Sequence, residues 1–313
     1  MSITRIARAL VPARKTWHIA ALTLGLVAAA PLAAADEPGW TLEPDARIDI
    51  QAVSAQTTTR DEDLVIDGEA LSVRAQVGLG IESKRTRVRL EADRVEVFRL
   101  GSGRDDVSRD RLTASIEHDL TDTFELQAQV RRYDDLVTVE SPDTDAWEYS
   151  ARATFEPTRE NRFRVQGTWR ERQYDNGAGP ATAGEGERID AQYRRRFGPY
   201  HYLAFDLRTE TIRSDDPQRG YERDSASLAY TRPIGPDLRL RPAIELIKTR
   251  FDGRTADDGP LRRDRQVVPE VELLWWPGKW RIEAEAKYVF FSSNESARER
   301  QGYRLTLSIG YVF

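Results

Sequence analysis

The stretch Tyr303-Arg304-Leu305-Thr306-Leu307-Ser308-Ile309-Gly310-Tyr311-Val312-Phe313 decides how the rest of the chain is read. Every odd position in it is large and apolar, while the even positions carry Arg304, Thr306, Ser308, Gly310 and Val312. A period of two places successive side chains on opposite faces of an extended strand, so this segment has one apolar and one mostly polar face. Yet the mean hydropathy of the whole chain is −0.62. In a soluble domain the stripe would face a core. In a membrane barrel it would face lipid.

The same period recurs upstream. Residues 280–290, WRIEAEAKYVF, set Trp280, Ile282, Ala284, Ala286, Tyr288 and Phe290 against Arg281, Glu283, Glu285 and Lys287. Residues 267–275, VVPEVELLW, alternate likewise, and only Trp276-Pro277-Gly278-Lys279, a tight-turn sequence, lies between the two. Further pairs are joined through Ile234-Gly235-Pro236-Asp237, Gly198-Pro199-Tyr200, Thr158-Arg159-Glu160-Asn161, Thr121-Asp122-Thr123 and Glu82-Ser83-Lys84. The pattern predicts about fourteen strands of roughly ten residues, the length that a tilted strand needs to cross a bilayer. Short connections alternate with long polar ones such as DNGAGPATAGEGE (175–187) and DGRTADDGPLRRD (252–264). The fold class expected is all-β: a transmembrane antiparallel up-and-down barrel with short periplasmic turns and long extracellular loops. A soluble β-sandwich has the same period, but dense mixed charge on the second face fits a wet bore better than a solvent-facing sheet.

The first 35 residues differ from the rest. Arg5, Arg8, Arg14 and Lys15 precede an apolar run ending in Ala33 and Ala35, with no acid before Asp36. A basic head, a short apolar stretch and small residues at −3 and −1 read as a secretory signal peptide, residues 1–35, leaving 36–313 as a single barrel domain in the outer membrane of a Gram-negative bacterium. The absence of cysteine removes disulfides, thiol catalysis and lipoprotein acylation from consideration. The chain has 47 basic and 52 acidic side chains; without the four basic residues of the leader the balance is about −9, which argues against a nucleic-acid partner. No cofactor is implied by any motif.

Taking the polar face of each strand inward gives an arginine-rich pore lining: Arg74, Arg87, Arg89, Arg131, Arg152, Arg164, Arg170, Arg172, Arg194, Arg196, Arg208, Arg239 and Arg241. Carboxylates share it, chiefly Glu245, Glu270, Glu272, Glu283 and Glu285. Arginines crowd onto the seventh and eighth strands and glutamates onto the twelfth and thirteenth. Two such walls either set up a transverse field that selects polar solutes, or neutralise each other and merely hold water. Membrane-anchoring aromatics are expected at Phe124, Phe155, Phe163, Phe197, Trp275, Trp280, Tyr311 and Phe313 by the turns, and at Trp147 and Tyr303 by the loops. Tyr133, Tyr149, Tyr174, Phe251 and Phe290 are assigned to the loop-side girdle as well.

Catalysis is not expected. After the leader only His118 and His201 remain, both beside short turns, so an acid–histidine pair at the outer rim lacks its base. No Cys/His cluster offers a metal site. The segment before the first strand, DEPGWTLEP, is too short for a plug, so closure of the bore falls to loops 175–187 and 252–264.

In strand number, length and the ending GYVF, the chain resembles the monomeric fourteen-stranded porins typified by outer-membrane porin G. Phe313 matches the terminal aromatic that barrel-assembly machinery reads in such proteins. The resemblance implies a monomer in outer-membrane lipid, passing small hydrophilic solutes, oligosaccharides or anionic sugars, and closed by one extracellular loop. Acidic-sugar porins are also arginine-lined but have about twelve strands. That porin family gates with pH through bore histidines; none stands at such a position here, so pH gating is not implied. Two other functions suit the sequence less well: a structural or export-assisting barrel with acidic surface loops, and a transporter of hydrophobic ligands.

Overall fold

The computed structural model describes residues 39–56, 68–100, 105–136, 138, 143–175, 180–257 and 259–313. The expected signal peptide lies outside the described residues. The chain forms fourteen strands: β1 (Thr41–Ala55), β2 (Gly68–Glu82), β3 (Thr86–Leu100), β4 (Val107–Thr121), β5 (Phe124–Asp134), β6 (Thr144–Thr158) and β7 (Asn161–Tyr174). They continue with β8 (Thr182–Gly198), β9 (His201–Ser214), β10 (Tyr221–Gly235), β11 (Leu238–Thr255), β12 (Leu261–Trp275), β13 (Trp280–Ser293) and β14 (Arg300–Val312). Each pairs antiparallel with its chain neighbours, and β14 pairs with β1, from Ala55↔Arg304 to Arg47↔Val312, so the sheet closes without an edge. Closure lets every strand satisfy its backbone in a solvent that offers no hydrogen bonds.

The two faces follow the sequence period. On β14 Leu305, Leu307 and Ile309 are 43–49% exposed, whereas Arg304 between them and the rim is 1% exposed. The convex outer face carries the exposed apolar belt, including Val77, Ile116, Val165, Leu207, Leu228, Leu246 and Val271. The concave inner face carries the charges. Two of the short turns put Pro199 and Pro236 before residues of positive φ, Tyr200 (55°) and Asp237 (55°), the type II arrangement. With an even strand number, the short turns and the outer ends of β1 and β14 share one end, the periplasmic one in barrels of this kind.

The strands are longer than the period suggested, 11 residues in β5 up to 18 in β11. Residues 182–187, 252–255 and 261–264, expected as loop, belong to β8, β11 and β12. Above the belt the outward side chains turn polar, as at Glu185, Glu187, Asp252 and Arg263. Hydropathy therefore stops alternating there, while backbone pairing, which needs no apolar side chain, runs on.

Candidate pore wall

Each inward position is set by strand parity, and all the basic and acidic residues expected on the inner face share the parity of its buried members. Their charges lie along the wall as ion pairs, several reaching across an intervening strand. Arg89 on β3 meets Asp45 on β1 at 2.7 Å, and Arg152 on β6 meets Glu117 on β4 at 3.0 Å and Glu125 at 3.2 Å. Arg87 holds Glu82 at 2.7 Å and Glu117 at 3.1 Å. Such two-strand spans suit arginine, whose long stem lies flat while its planar fork engages two acceptors.

The extracellular half of the inner face is more tightly packed. Asp93 is almost fully buried and is held by Arg109 at 2.5 Å, by Arg111, and by Arg74 at 3.4 Å. Glu210 is shared by Arg170 at 3.0 Å and Arg223 at 3.3 Å, and Asp190 by Arg208 at 2.6 Å and Arg188 at 2.9 Å. Arg262 meets Asp264 at 2.5 Å, and Ser293 donates to the same carboxylate at 2.8 Å. Asp93, Arg109, Glu210, Arg223, Arg262 and Asp264 are not among the expected pore-lining residues. Arg109, Arg223, Arg262 and Asp264 stand in strand extensions expected as loop, where carrying the period past the apolar belt finds them, whereas Asp93 and Glu210 stand in strands already expected.

The two opposed walls differ from expectation. Across β12 and β13, Lys287 sits 2.8 Å from Glu285 and 3.5 Å from Glu270, Arg241 sits 2.9 Å from Glu272, and Trp276 Nε1 donates to Glu283 at 3.1 Å. The carboxylate wall is thus largely compensated. On β7 and β8, Arg170 belongs to the Glu210 cluster and Arg162 meets Glu156 at 3.1 Å. Among the described residues, however, no carboxylate lies within ion-pairing distance of Arg164, Arg194 or Arg196. Arg194 instead lies 4.6 Å over the Tyr202 ring, and the Nε of both Arg164 and Arg194 is buried without a hydrogen-bond acceptor. Positive charge therefore remains on one side of the inner face, in the periplasmic half. Arg239 is also placed there, between the rings of Tyr200 (3.7 Å) and Trp276 (4.4 Å).

By the turns, aromatic side chains of neighbouring strands lie against one another on the outer face. Phe124 contacts Phe155 at 6.5 Å, Trp280 contacts Tyr311 at 5.1 Å, and Tyr311 contacts Phe313 at 5.0 Å between centroids. Phe163 stacks on Tyr193 at 4.9 Å. At the loop end Trp147 stacks on Tyr149 outside. Tyr133, Tyr174 and Phe251 do not join them: these face inward and are 1%, 0% and 4% exposed. Their height on the strand suited a girdle, but their parity, shared with Arg131, Arg172 and Thr249, points them in.

Phe251 packs with Ile212 and Tyr221 beneath the connection from β9 to β10. In that connection Arg219 lies 4.6 Å over the Tyr174 ring, and the Gln218 carbonyl accepts from Arg254 Nε at 2.7 Å. The Pro217 backbone lies so close to Gly253 that a Cβ there would stand 2.5 Å from it. The described segment folded over the mouth is therefore residues 215–220. In the two expected ones, residues 182–187, 252–255 and 261–264 are strand, and 176–179 and 258 lie outside the described residues. The histidines sit outside, at the turn end: His118 Nδ1 is 2.9 Å from Thr86 Oγ1 and His201 Nε2 is 2.7 Å from the Tyr230 hydroxyl. Among the described residues, no three His, Cys, Asp or Glu side chains are grouped to hold a metal ion.

No family model and no curated protein matches the sequence. Solved structures do match. The loop L8 deletion mutant of OmpT, an outer membrane protein of Vibrio cholerae, superposes with a TM-score of 0.52 at 8% identity, covering 88% of this chain and 100% of that one. Outer-membrane-expressed OmpT of Vibrio cholerae gives 0.51 at 10% identity, covering 89% and 99%. This is an outer-membrane β-barrel. At such identity the likeness is one of fold, and the belt of exposed leucine, isoleucine and valine that meets lipid is this chain's own.

Proposed function

We propose that the barrel is a passive channel for small hydrophilic solutes, and that it favours anionic ones, sugar acids and acidic oligosaccharides among them. One observation carries this reading: Arg164, Arg194 and Arg196 stand together on one side of a largely ion-paired inner wall without a carboxylate partner among the described residues. An unpaired guanidinium facing water in a confined bore raises the local concentration of anions and offers carboxylates a bidentate grip. The resemblance to porin G-like barrels supports conduction by a monomer, with the β9–β10 connection as the closing loop. Assembly through Phe313 and removal of residues 1–35 belong to the same reading.

Purified barrel in a planar bilayer should conduct, and its reversal potential in a potassium chloride gradient should show anion preference. At about 6 Å, one charge acts on an ion with roughly 0.7 kcal/mol at the dielectric constant of water and more in a narrower bore. The Arg164→Glu/Arg194→Glu variant should therefore lower the anion-to-cation permeability ratio about tenfold or more. In liposome swelling, acidic sugars should enter faster than neutral ones of the same size, and basic sugars more slowly. A sealed barrel, or a selectivity unmoved by the double reversal, would overturn the reading.

A further inference from the structure

On the outer face, where β8 to β12 reach the extracellular edge of the belt, two cross-strand rows lie one above the other. The lower row is Ala191, Leu207, Ala226, Leu246 and Val267, each opposite the next in the strand register. The upper row is Ile189, Thr209, Asp224, Lys248 and Arg265. Ala191 and Ala226 are short between taller neighbours, and the hollow they leave holds about 790 Å³. Its floor is apolar and its upper lip is cationic.

The lip is unusual for this molecule. At the same height on the other side of the barrel, the outward cations are neutralised: Arg94 by Glu96 (2.5 Å) and Asp110 (3.1 Å), and Arg132 by Asp134 (2.6 Å) and Asp145 (2.9 Å). Around the hollow Arg250 is likewise held by Glu222 at 2.6 Å, and Asp224 accepts the Thr209 hydroxyl at 2.9 Å. Lys248, Arg263 and Arg265 have no carboxylate within ion-pairing distance among the described residues. Arg263 stands one row above Lys248, opposite Arg250. Three cations without an ion-pair partner thus crown an apolar hollow, with Asp224, opposite Lys248, the one acid in the upper row.

The depth fits a headgroup. Along β11 the outward residues Leu238, Leu240, Pro242, Ile244 and Leu246 are apolar, and Lys248 is the first charge. Ten residues at about 3.3 Å, tilted by about 40°, rise about 25 Å, the height of the apolar band of such barrels. Lys248 therefore sits where acyl chains end and phosphates begin.

We propose that this hollow is a binding site for one molecule of the phosphorylated glycolipid of the outer leaflet, lipid A in its bisphosphorylated form. Acyl chains lie over Ala226 and against Leu207 and Leu246, and a phosphate is gripped by Lys248, Arg263 and Arg265. Charge complementarity selects this occupant over a second copy of the chain, since a two-fold contact through this face would set the cationic lips against each other.

The experiment is native mass spectrometry of the folded barrel in detergent, titrated in turn with bisphosphorylated lipid A, its monophosphorylated form and phosphatidylglycerol. The wild-type barrel should hold one bisphosphorylated lipid A in preference to the others. Lys248→Ala/Arg265→Ala should weaken this binding about tenfold or more, as expected for losing charge-assisted hydrogen bonds. Ala226→Phe, which fills the hollow without altering charge, should weaken it as well. Arg94→Ala/Arg132→Ala, at the paired rim opposite, should leave it unchanged, and heat-shifted mobility on gels shows that each variant is folded. Equal binding by the hollow variants and wild type overturns the site. Phosphatidylglycerol held as tightly as lipid A, or dimers that Lys248→Ala/Arg265→Ala abolishes, overturns the assigned occupant.

Discussion

Replacing Leu307 by arginine should destabilise the folded barrel by about 3–5 kcal/mol, whereas the same change at the next residue, Ser308, should be nearly neutral. Leu307 lies midway between Tyr303 and Tyr311 on the outward side of β14, four residues from each. Four residues span about 13 Å of strand, or about 10 Å of height at a tilt of about 40°, so Leu307 stands near the bilayer midplane. An arginine there costs roughly 2–4 kcal/mol. The lost leucine adds about 1 kcal/mol, since the side chain is 49% exposed and only that half is turned to lipid. Ser308 faces inward, opposite Glu283 on β13 and Gln51 on β1, where a guanidinium finds water and a carboxylate. The two variants should therefore differ in folding equilibrium by a hundred- to a few-thousandfold, roughly. Urea titration in lipid vesicles, with the folded fraction read from gel mobility, measures this directly. If Leu307→Arg and Ser308→Arg agree within about 0.5 kcal/mol, or if Ser308→Arg is the damaging change, the outer face does not meet hydrocarbon.

Three further outcomes follow from the inner wall and the rim. Glu210→Ala removes the carboxylate that Arg170 and Arg223 share in a buried site, and the same urea titration should show a loss of about 3–5 kcal/mol, with Glu210→Gln intermediate. Gly253→Val cannot keep the Pro217 backbone where it lies, so residues 215–220 should be cut faster by protease and single-channel current should become noisier, with the folded fraction little changed. At the extracellular rim the Asp135 carboxyl is raised to about 6 by partial desolvation, then by Asp143, Asp145, Asp134 and Asp110. Its folded value lies above the unfolded one, so its contribution favours the folded rim at low pH and is lost as pH rises from about 4 through about 6. Asp135 is exposed and screened by water, so the readout is local: the protection of the amides around 134–136, taken relative to their intrinsic pH-dependent exchange, should fall over that range, and Asp135→Asn, which also tolerates the φ of 59°, should abolish the fall.

The charge pattern was only half legible because parity and pairing are different kinds of information. Parity told which face Arg164, Arg194, Glu283 and Glu285 occupy, since a closed sheet cannot twist one residue round without reversing the whole strand. Pairing depends on which strands lie side by side and how far each is slipped. Lys287 comes two residues after Glu285 in sequence, yet its hold on Glu270 arises only because β12 and β13 pair Glu270 with Lys287. The register of β7 and β8 likewise sets Arg162 opposite Arg194, and of the two only Arg162 has a carboxylate within ion-pairing distance among the described residues, Glu156 at 3.1 Å. The inward Tyr133, Tyr174 and Phe251 make the converse point: their parity was readable, but their height on the strand suggested a girdle.

By itself the sequence determined that the chain is a closed sheet of about fourteen strands with one face for lipid and one for water. That much follows because a period of two is a local property, fixed by strand geometry whatever the strand pairs with. Tertiary structure alone decided how far the strands run beyond the membrane, which charges cancel, which connection folds over the mouth, and where the outer wall is hollow. Each of these depends on register between strands that are distant in sequence or on side chains of different strands meeting at one height, and no local period records either.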